Sequence, residues 1–211
     1  MIRMVISSFH NTLINDEGAI LVPTMLEIER IRKKGILFSV FTNKDYREVL
    51  DYNKDFPFLD YIISLKGAYI YDVKERKEIS KTPLEKEEID EIIKKYKRNK
   101  KNYYLAEKVE DNIDNINEPI YKIEVMKGKS VLEFINSKYD SFQMTQKLLK
   151  EEKIKKNEIL FIGANDYDND MIKNIRNHYI LNNSSKGLKM LTERIIGNNN
   201  ENSIQEVLKK L

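Results

Sequence analysis

The stretch Met4-Val5-Ile6-Ser7-Ser8-Phe9-His10-Asn11-Thr12-Leu13 constrains the fold more than any other part of the chain. An apolar run stops at small and polar residues, the pattern of a buried parallel strand that delivers side chains to a crevice at its carboxyl end. Leu26, Ile28 and Ile31 then predict a helix over Met25 to Lys34, with Pro23 suited to its start and Gly35 to its end. Ile36 to Phe41 is a second short apolar strand, which closes a β-α-β unit with parallel pairing and a right-handed crossover. It ends in Thr42-Asn43-Lys44, and the theme returns at Glu158 to Gly163, which runs into Ala164-Asn165-Asp166.

Between these strands the pattern changes. Tyr46 to Asn53 reads as a helix, Phe56-Pro57-Phe58 as a turn and Tyr61 to Ser64 as another apolar strand. Asp72 to Thr82 reads as a charged hairpin and Leu84 to Arg98 as an amphipathic helix. A strand over Tyr103 to Val109, a polar loop over Glu110 to Glu118, and a strand pair at Tyr121–Met126 and Val131–Asn136 around Gly128 complete a small α+β insert. Tyr139 to Glu152 is a helix with Phe142, Met144, Leu148 and Leu149 facing the core. After Gly163 the chain alternates short strand, helix, short strand and final helix.

Composition narrows the chemistry. At 211 residues the chain has room for one sizeable core plus a small insert. Lys and Arg total 37 against 34 Asp and Glu, a net charge of +3, which gives no reason to expect nucleic acid or an anionic membrane as partner. The basic run Lys94 to Lys101 sits at a predicted helix end, where cations are favoured, and reads as solvated surface. With no cysteine, disulfides, thiol catalysis and thiolate zinc sites are excluded. His10 and His178 alone do not make an imidazole zinc site. No apolar run approaches the ~20 residues of a membrane helix, and the N-terminus lacks a signal-peptide core, so a cytoplasmic, soluble protein is expected.

Four segments together resemble the motifs of the haloacid-dehalogenase-like phosphotransferases, Cof-type subfamily. The first motif of that family is a hydrophobic strand followed by Asp-x-Asp-Gly-Thr-Leu. Thr12 and Leu13 match it, while Ser8 stands at the nucleophilic Asp, His10 at the acid/base Asp and Asn11 at the Gly. Thr42 matches the second-motif hydroxyl that contacts a substrate phosphate, and Asn43 and Lys44 replace the Gly and Arg that often follow it. Ser64-Leu65-Lys66-Gly67-Ala68-Tyr69-Ile70-Tyr71-Asp72 is similar to the family's Ser-Asn-Gly-Ala-x-Ile-Tyr-Asp, with one residue added. Ser141 falls at the third-motif Lys, with Lys138 near enough to serve in a shifted register. Gly163, Asp168 and Met171 match the fourth motif, Gly-Asp-x-x-x-Asp-x-x-Met, but Ala164 replaces its first Asp.

The resemblance implies a three-layer, Rossmann-like α/β core with a parallel sheet over residues 1–72 and 137–211, and a short inserted α+β cap over residues 73–136. Read without it, Thr42 is equally a residue that caps the helix after it. Asp166-x-Asp168-x-Asp170 suggests a calcium loop, but Met171 and Asn177 stand where that loop needs Gly and Glu. No glycine-rich nucleotide loop is present.

In the resembled enzymes magnesium is held by the first-motif pair and the fourth-motif Asp. Ser8, the backbone carbonyl of His10 and Ala164 now occupy those positions, which leaves Asp168 as a vestige of the metal site. Magnesium takes hard oxygen ligands, usually carboxylates with phosphate and water. Losing the nucleophile, the acid/base, the Lys and a metal carboxylate together implies a catalytically inactive homologue without a cofactor. Asn11, Thr42, Asn43 and Lys44 would bind a phosphorylated small molecule, or the same surface a protein partner. The alternative is an active phosphatase on sugar phosphates or related phosphomonoesters, with Ser8 as nucleophile, His10 as base and magnesium retained. A purely structural role would instead fill the crevice with Phe9 and His10.

Overall fold

Every residue of Met4–Ser8 is buried, and this segment forms β1, at the centre of the larger sheet. The computed structural model describes residues 1–54 and 57–211, so Phe56 of the expected turn lies outside the described residues. After β1 come α1 (Val22–Lys33), β2 (Leu37–Phe41), α2 (Tyr46–Asn53), β3 (Tyr61–Ser64), β4 (Tyr69–Asp72) and β5 (Lys77–Lys81). A second group follows: α3 (Lys86–Lys95), β6 (Lys101–Tyr104), β7 (Val109–Glu110), β8 (Lys122–Lys127) and β9 (Ser130–Phe134). The chain then returns through α4 (Ser141–Glu151), β10 (Ile159–Gly163) and α5 (Asn169–Asn174). It closes with β11 (His178–Leu181), α6 (Lys186–Lys189), β12 (Ile195–Ile196) and α7 (Ser203–Leu208).

Among the described residues the larger sheet runs β12-β11-β10-β1-β2-β3-β4-β5. Pairing is parallel from β12 through β3 and antiparallel at β4 and β5. The expected parallel α/β core is therefore present, with an antiparallel edge. β5, within the 73–136 stretch expected for the insert, pairs with β4 in this sheet. The smaller sheet is antiparallel, in the order β7-β6-β8-β9.

Alternation along β1 explains the layers. Val5 joins Ile28, Ile31, Val49, Val207 and Leu208 in the core on one face, under α1, α2 and α7. Met4 and Ile6 join Phe142, Leu148, Met171 and Leu188 on the other, under α4, α5 and α6. The four α4 residues expected in the core, Phe142, Met144, Leu148 and Leu149, are buried, and Asp140 and Gln143 cap its start reciprocally, at 2.7 and 2.9 Å. The smaller sheet has its own apolar cluster with Leu84 and Ile92 of the α3 segment, and Tyr69, Tyr104, Tyr121 and Met144 pack between the two sheets. Among the described residues no helix is long and apolar enough to cross a membrane.

Parallel pairing puts the carboxyl ends of β1, β2 and β10 side by side. Ser8 lies opposite Phe41, one residue before Thr42, and Ser7 lies opposite Ile162, two residues before Ala164. The crevice outside these strand ends is where an open α/β sheet binds ligands.

Candidate functional site

Ser8 and Asp168 meet at the floor of this crevice. Both are fully buried, and the Ser8 hydroxyl donates to Asp168 Oδ1 at 2.7 Å. Asp168 Oδ2 accepts the backbone N–H groups of Ala164 at 2.9 Å and Asn165 at 2.8 Å. The tight turn after β10 makes this possible, and Gly163 is required for it: a Cβ there would stand 2.6 Å from Asp168 Oδ2. Burial pushes the Asp168 carboxyl up to about 7, against the opposing pull of its hydrogen bonds from Ser8, Asn165 and Ala164.

Asn165 closes the floor from the other side. Its side-chain amide donates to Ser8 Oγ at 3.2 Å and to the His10 carbonyl at 2.9 Å. Its own oxygen accepts from the Asn11 amide at 3.1 Å, which fixes the orientation of the group. Asn11 reaches it from a left-handed backbone conformation, φ 55°, in the wide turn Phe9–Leu13. Two neutral N–H donors thus lie against Ser8 and the His10 carbonyl. Ala164 offers no ligand side chain, and Asp168 already accepts three hydrogen bonds. Among the described residues no group of three or more His, Cys, Asp or Glu side chains is placed to hold a metal ion.

Above the floor stand Tyr167, Thr42 and His10. Tyr167 packs its ring against Phe41, and its buried hydroxyl lies beside Ser8 and Thr42. Burial and the adjacent Asp168 carboxylate push the phenol up, so it stays protonated. The Thr42 hydroxyl accepts the Lys44 N–H at 3.0 Å, whereas α2 is capped by Asp45, which accepts from Arg47 N at 2.9 Å. Thr42 therefore shapes the turn after β2 and does not cap the helix. His10 packs edge-on against Phe9, and its Nδ1 is buried without a partner among the described residues. Burial and the nearby Lys44 ammonium lower its pKa, which keeps the imidazole neutral.

The rim toward the smaller sheet is charged. Glu133 on β9 accepts from the Asn43 amide and the Lys122 ammonium, both at 2.9 Å, and pairs with Lys66 at 2.6 Å. Lys122, fully buried on β8, also pairs with Glu124 at 2.7 Å and donates to the Asn43 carbonyl at 2.8 Å. Its ammonium stands 4.7 Å from the Tyr104 ring centre. Burial alone would raise the Glu133 carboxyl, but Lys122 and Lys66 outweigh it and hold it at about 2. Leu65 and Lys66 both take positive φ, 49° and 58°, at about 1–2 kcal/mol each, and the turn ends at Gly67 with φ 100°. A Cβ on Gly67 would stand 3.0 Å from the Ser141 carbonyl.

The structure thus brings Ser8, Asn11, Thr42, Asn43, Ala164 and Asp168 to one end of the sheet. Ser141, by contrast, starts α4 with its N–H on Asp170 at 3.3 Å and its carbonyl on the Thr145 hydroxyl at 2.8 Å. It makes no hydrogen bond to Ser8 or Asp168 among the described residues. The Lys138 ammonium lies over the Tyr139 ring at 5.6 Å and forms no ion pair with Asp168 among the described residues. Asn165, Tyr167, Lys66, Lys122 and Glu133 did not emerge from the sequence. The first two lie inside the fourth-motif stretch as filler between matched positions, and Lys66 inside the Gly67-Ala68 stretch; Lys122 and Glu133 carried no signal.

The sequence model of haloacid dehalogenase-like hydrolases matches residues 5–127 and 105–208. A search of curated protein sequences returns no match. Among solved structures, the chain is similar to a haloacid dehalogenase-like hydrolase from B. subtilis, with TM-score 0.88, 13% identity and 100% of each chain covered. It is similar to one from Bacteroides thetaiotaomicron, with TM-score 0.83, 14% identity and coverage of 100% of this chain and 99% of that one. A phosphatase of the haloalkanoate enzyme superfamily, also from Bacteroides thetaiotaomicron, matches with TM-score 0.83 and 13% identity over 100% of this chain and 95% of its own.

Proposed function

Because the chain belongs to the haloacid dehalogenase-like hydrolases, we propose that it is a phosphatase homologue that binds a phosphorylated small molecule in the cytoplasm without hydrolysing it. One observation carries the reading: the Asn165 amide bridges Ser8 Oγ and the His10 carbonyl, at 3.2 and 2.9 Å. In the family reading those are the atoms that would face a magnesium ion. A cation there would have to displace N–H donors and draw on a serine, an alanine and a carboxylate already accepting three hydrogen bonds. The residues do not fit the ion.

What remains is a binding crevice. Asn11 is exposed and Asn43 and Lys44 are half-buried at its mouth, and Thr42 lies buried at its base. Lysine attracts an anion as a point charge, without the bidentate fork of arginine. Neutral His10 is a donor or acceptor but adds no charge. The domain division of 1–72 and 137–211 against 73–136 is part of the same proposal, with the smaller sheet acting as the cap.

The competing reading, residual phosphatase activity, has one favourable observation: Asp168 holds the Ser8 hydroxyl at 2.7 Å with a carboxyl near neutrality. A carboxylate so placed is within reach of the proton a general base would take. Against it, Ser8 is wholly buried, and a phosphoserine would hydrolyse far more slowly than the acyl phosphate formed by an aspartate. Assays on a panel of sugar phosphates, with and without magnesium, compare wild type with Ser8→Ala, alongside calorimetric titration of the same compounds. Binding without turnover is the expected result. Metal-dependent turnover abolished by the substitution would overturn it.

A further inference from the structure

Glu133 is an anion already seated where the crevice would receive one. Asn43, one of the residues assigned to phosphate, gives its side-chain amide to Glu133 at 2.9 Å, and Lys66 and Lys122 complete the clasp at 2.6 and 2.9 Å. The donors come from both sides of the crevice: Asn43 and Lys66 follow strands of the larger sheet, whereas Lys122 and Glu133 belong to the smaller one. Lys66 is aimed by two consecutive left-handed residues, a backbone arrangement held only where the surroundings enforce it. The electrostatics agree with the geometry, since Glu133 stays ionised far below the usual carboxylate range.

We infer that Asn43, Lys66 and Lys122 form an anion subsite on the inner rim, that Glu133 occupies it as a tethered stand-in, and that a free phosphate group held by the same three donors displaces Glu133 and shifts β9 away from the larger sheet. The inference rests on the reading that the crevice takes a phosphorylated ligand. Charge supports the exchange. With Glu133 seated, the two lysines face two carboxylates, Glu133 and Glu124. A phosphate dianion in its place adds one negative charge, and Lys44 lies close enough to influence both His10 and Glu124. A tethered carboxylate competes at high effective concentration, so removing its charge strengthens binding of the free anion.

Calorimetric titration of inorganic phosphate into wild type, Glu133→Gln and Glu133→Gln/Lys66→Met tests this. Glu133→Gln is expected to bind phosphate at least tenfold more tightly than wild type, and the added Lys66→Met to abolish the gain. Wild type and Glu133→Gln binding equally would overturn the stand-in role and leave the ligand reading intact. No binding to either would bring down the ligand reading and the inference with it. A second measurement leaves Glu133 in place, in case its substitution unfolds the chain. The sequence has no cysteine, so fluorophores can be placed uniquely at Val131→Cys on β9 and Leu26→Cys on α1, both exposed. Saturating phosphate is expected to lengthen the transfer distance; an unchanged distance in phosphate-bound protein would overturn the displacement.

Discussion

Asn165 and Ser8 stand 157 positions apart in the chain, yet the amide of one donates to the hydroxyl of the other at 3.2 Å. The same amide holds the His10 carbonyl. A neutral side chain thus ties the end of β1 to the turn after β10. Asn165→Ala would leave both acceptors and the Asn11 amide short of a partner. Burying unsatisfied polar groups costs about 1–3 kcal/mol, and urea denaturation should register a loss of that size with an unchanged slope. A loss under about 0.5 kcal/mol would mean that water replaces the amide.

Magnesium should leave the native protein indifferent. Millimolar magnesium is expected to give no shift in Tm for wild type, because Ser8 and Ala164 supply no carboxylate. Ser8→Asp with Ala164→Asp adds two beside Asp168, and there magnesium should raise Tm. At a hundredfold excess over Kd the gain would be about 2.7 kcal/mol, or about 5–10 °C for a chain of this size. A magnesium-dependent shift in wild type would show that the amide yields to the ion.

Asp168 should reverse the usual acid behaviour of a carboxylate. Its pKa in the folded protein, about 7, lies above its ordinary 3.8, so the native state holds the proton more tightly than the unfolded chain. Stability from this group is therefore greatest at low pH and declines as pH rises through about 4 to 7. Asp168→Asn removes the ionisation and keeps an acceptor for the Ala164 and Asn165 N–H groups, while its amide N–H faces Ser8 and reverses the bond that the serine hydroxyl donates in the wild type. From pH 5 to pH 8 the stability difference should move in the variant's favour by on the order of 2–4 kcal/mol. Thermal melts across that range check the sign; parallel curves would show that Asp168 keeps an ordinary pKa.

The strands were legible because burial on both faces leaves no choice of residue. Met4–Ile6 and Ile159–Ile162 must be apolar throughout, and the polar residues that follow each mark the carboxyl edge of the sheet. Ser8, Thr42 and Asp168 converge for that reason alone. Lys122 and Glu124 were not legible. On β8 they alternate with Ile123 and Val125, the pattern of a strand with one solvated face, yet on that face Lys122 meets Tyr104 and the turn after β2, and both side chains are buried. Their partners explain the burial, and these lie on β9 and at Asn43, 79 positions earlier. Asn165 was hidden differently: asparagine after a strand ordinarily signals a turn, and nothing local reveals that its amide faces Ser8.

The buried Lys122 gives the most severe test of how the two sheets are joined. It is fully buried, pairs with Glu124 and Glu133 and donates to the Asn43 carbonyl, so Lys122→Met takes the paired cation from Glu124 and leaves Glu133 with Lys66 and Asn43. Removing one partner of a buried ion pair costs about 3–5 kcal/mol, most of it from the charge left behind. Adding Glu124→Gln and Glu133→Gln removes those charges, and the triple variant should recover at least half of the loss. The cycle separates unpaired carboxylates from the lysine's other contacts: if the single and triple variants are equally unstable, the ammonium's seat on Tyr104 and its bond to the Asn43 carbonyl hold the interface. If the triple variant recovers, the loss in Lys122→Met came from carboxylates left without their cation, and neutral side chains can hold the same seam.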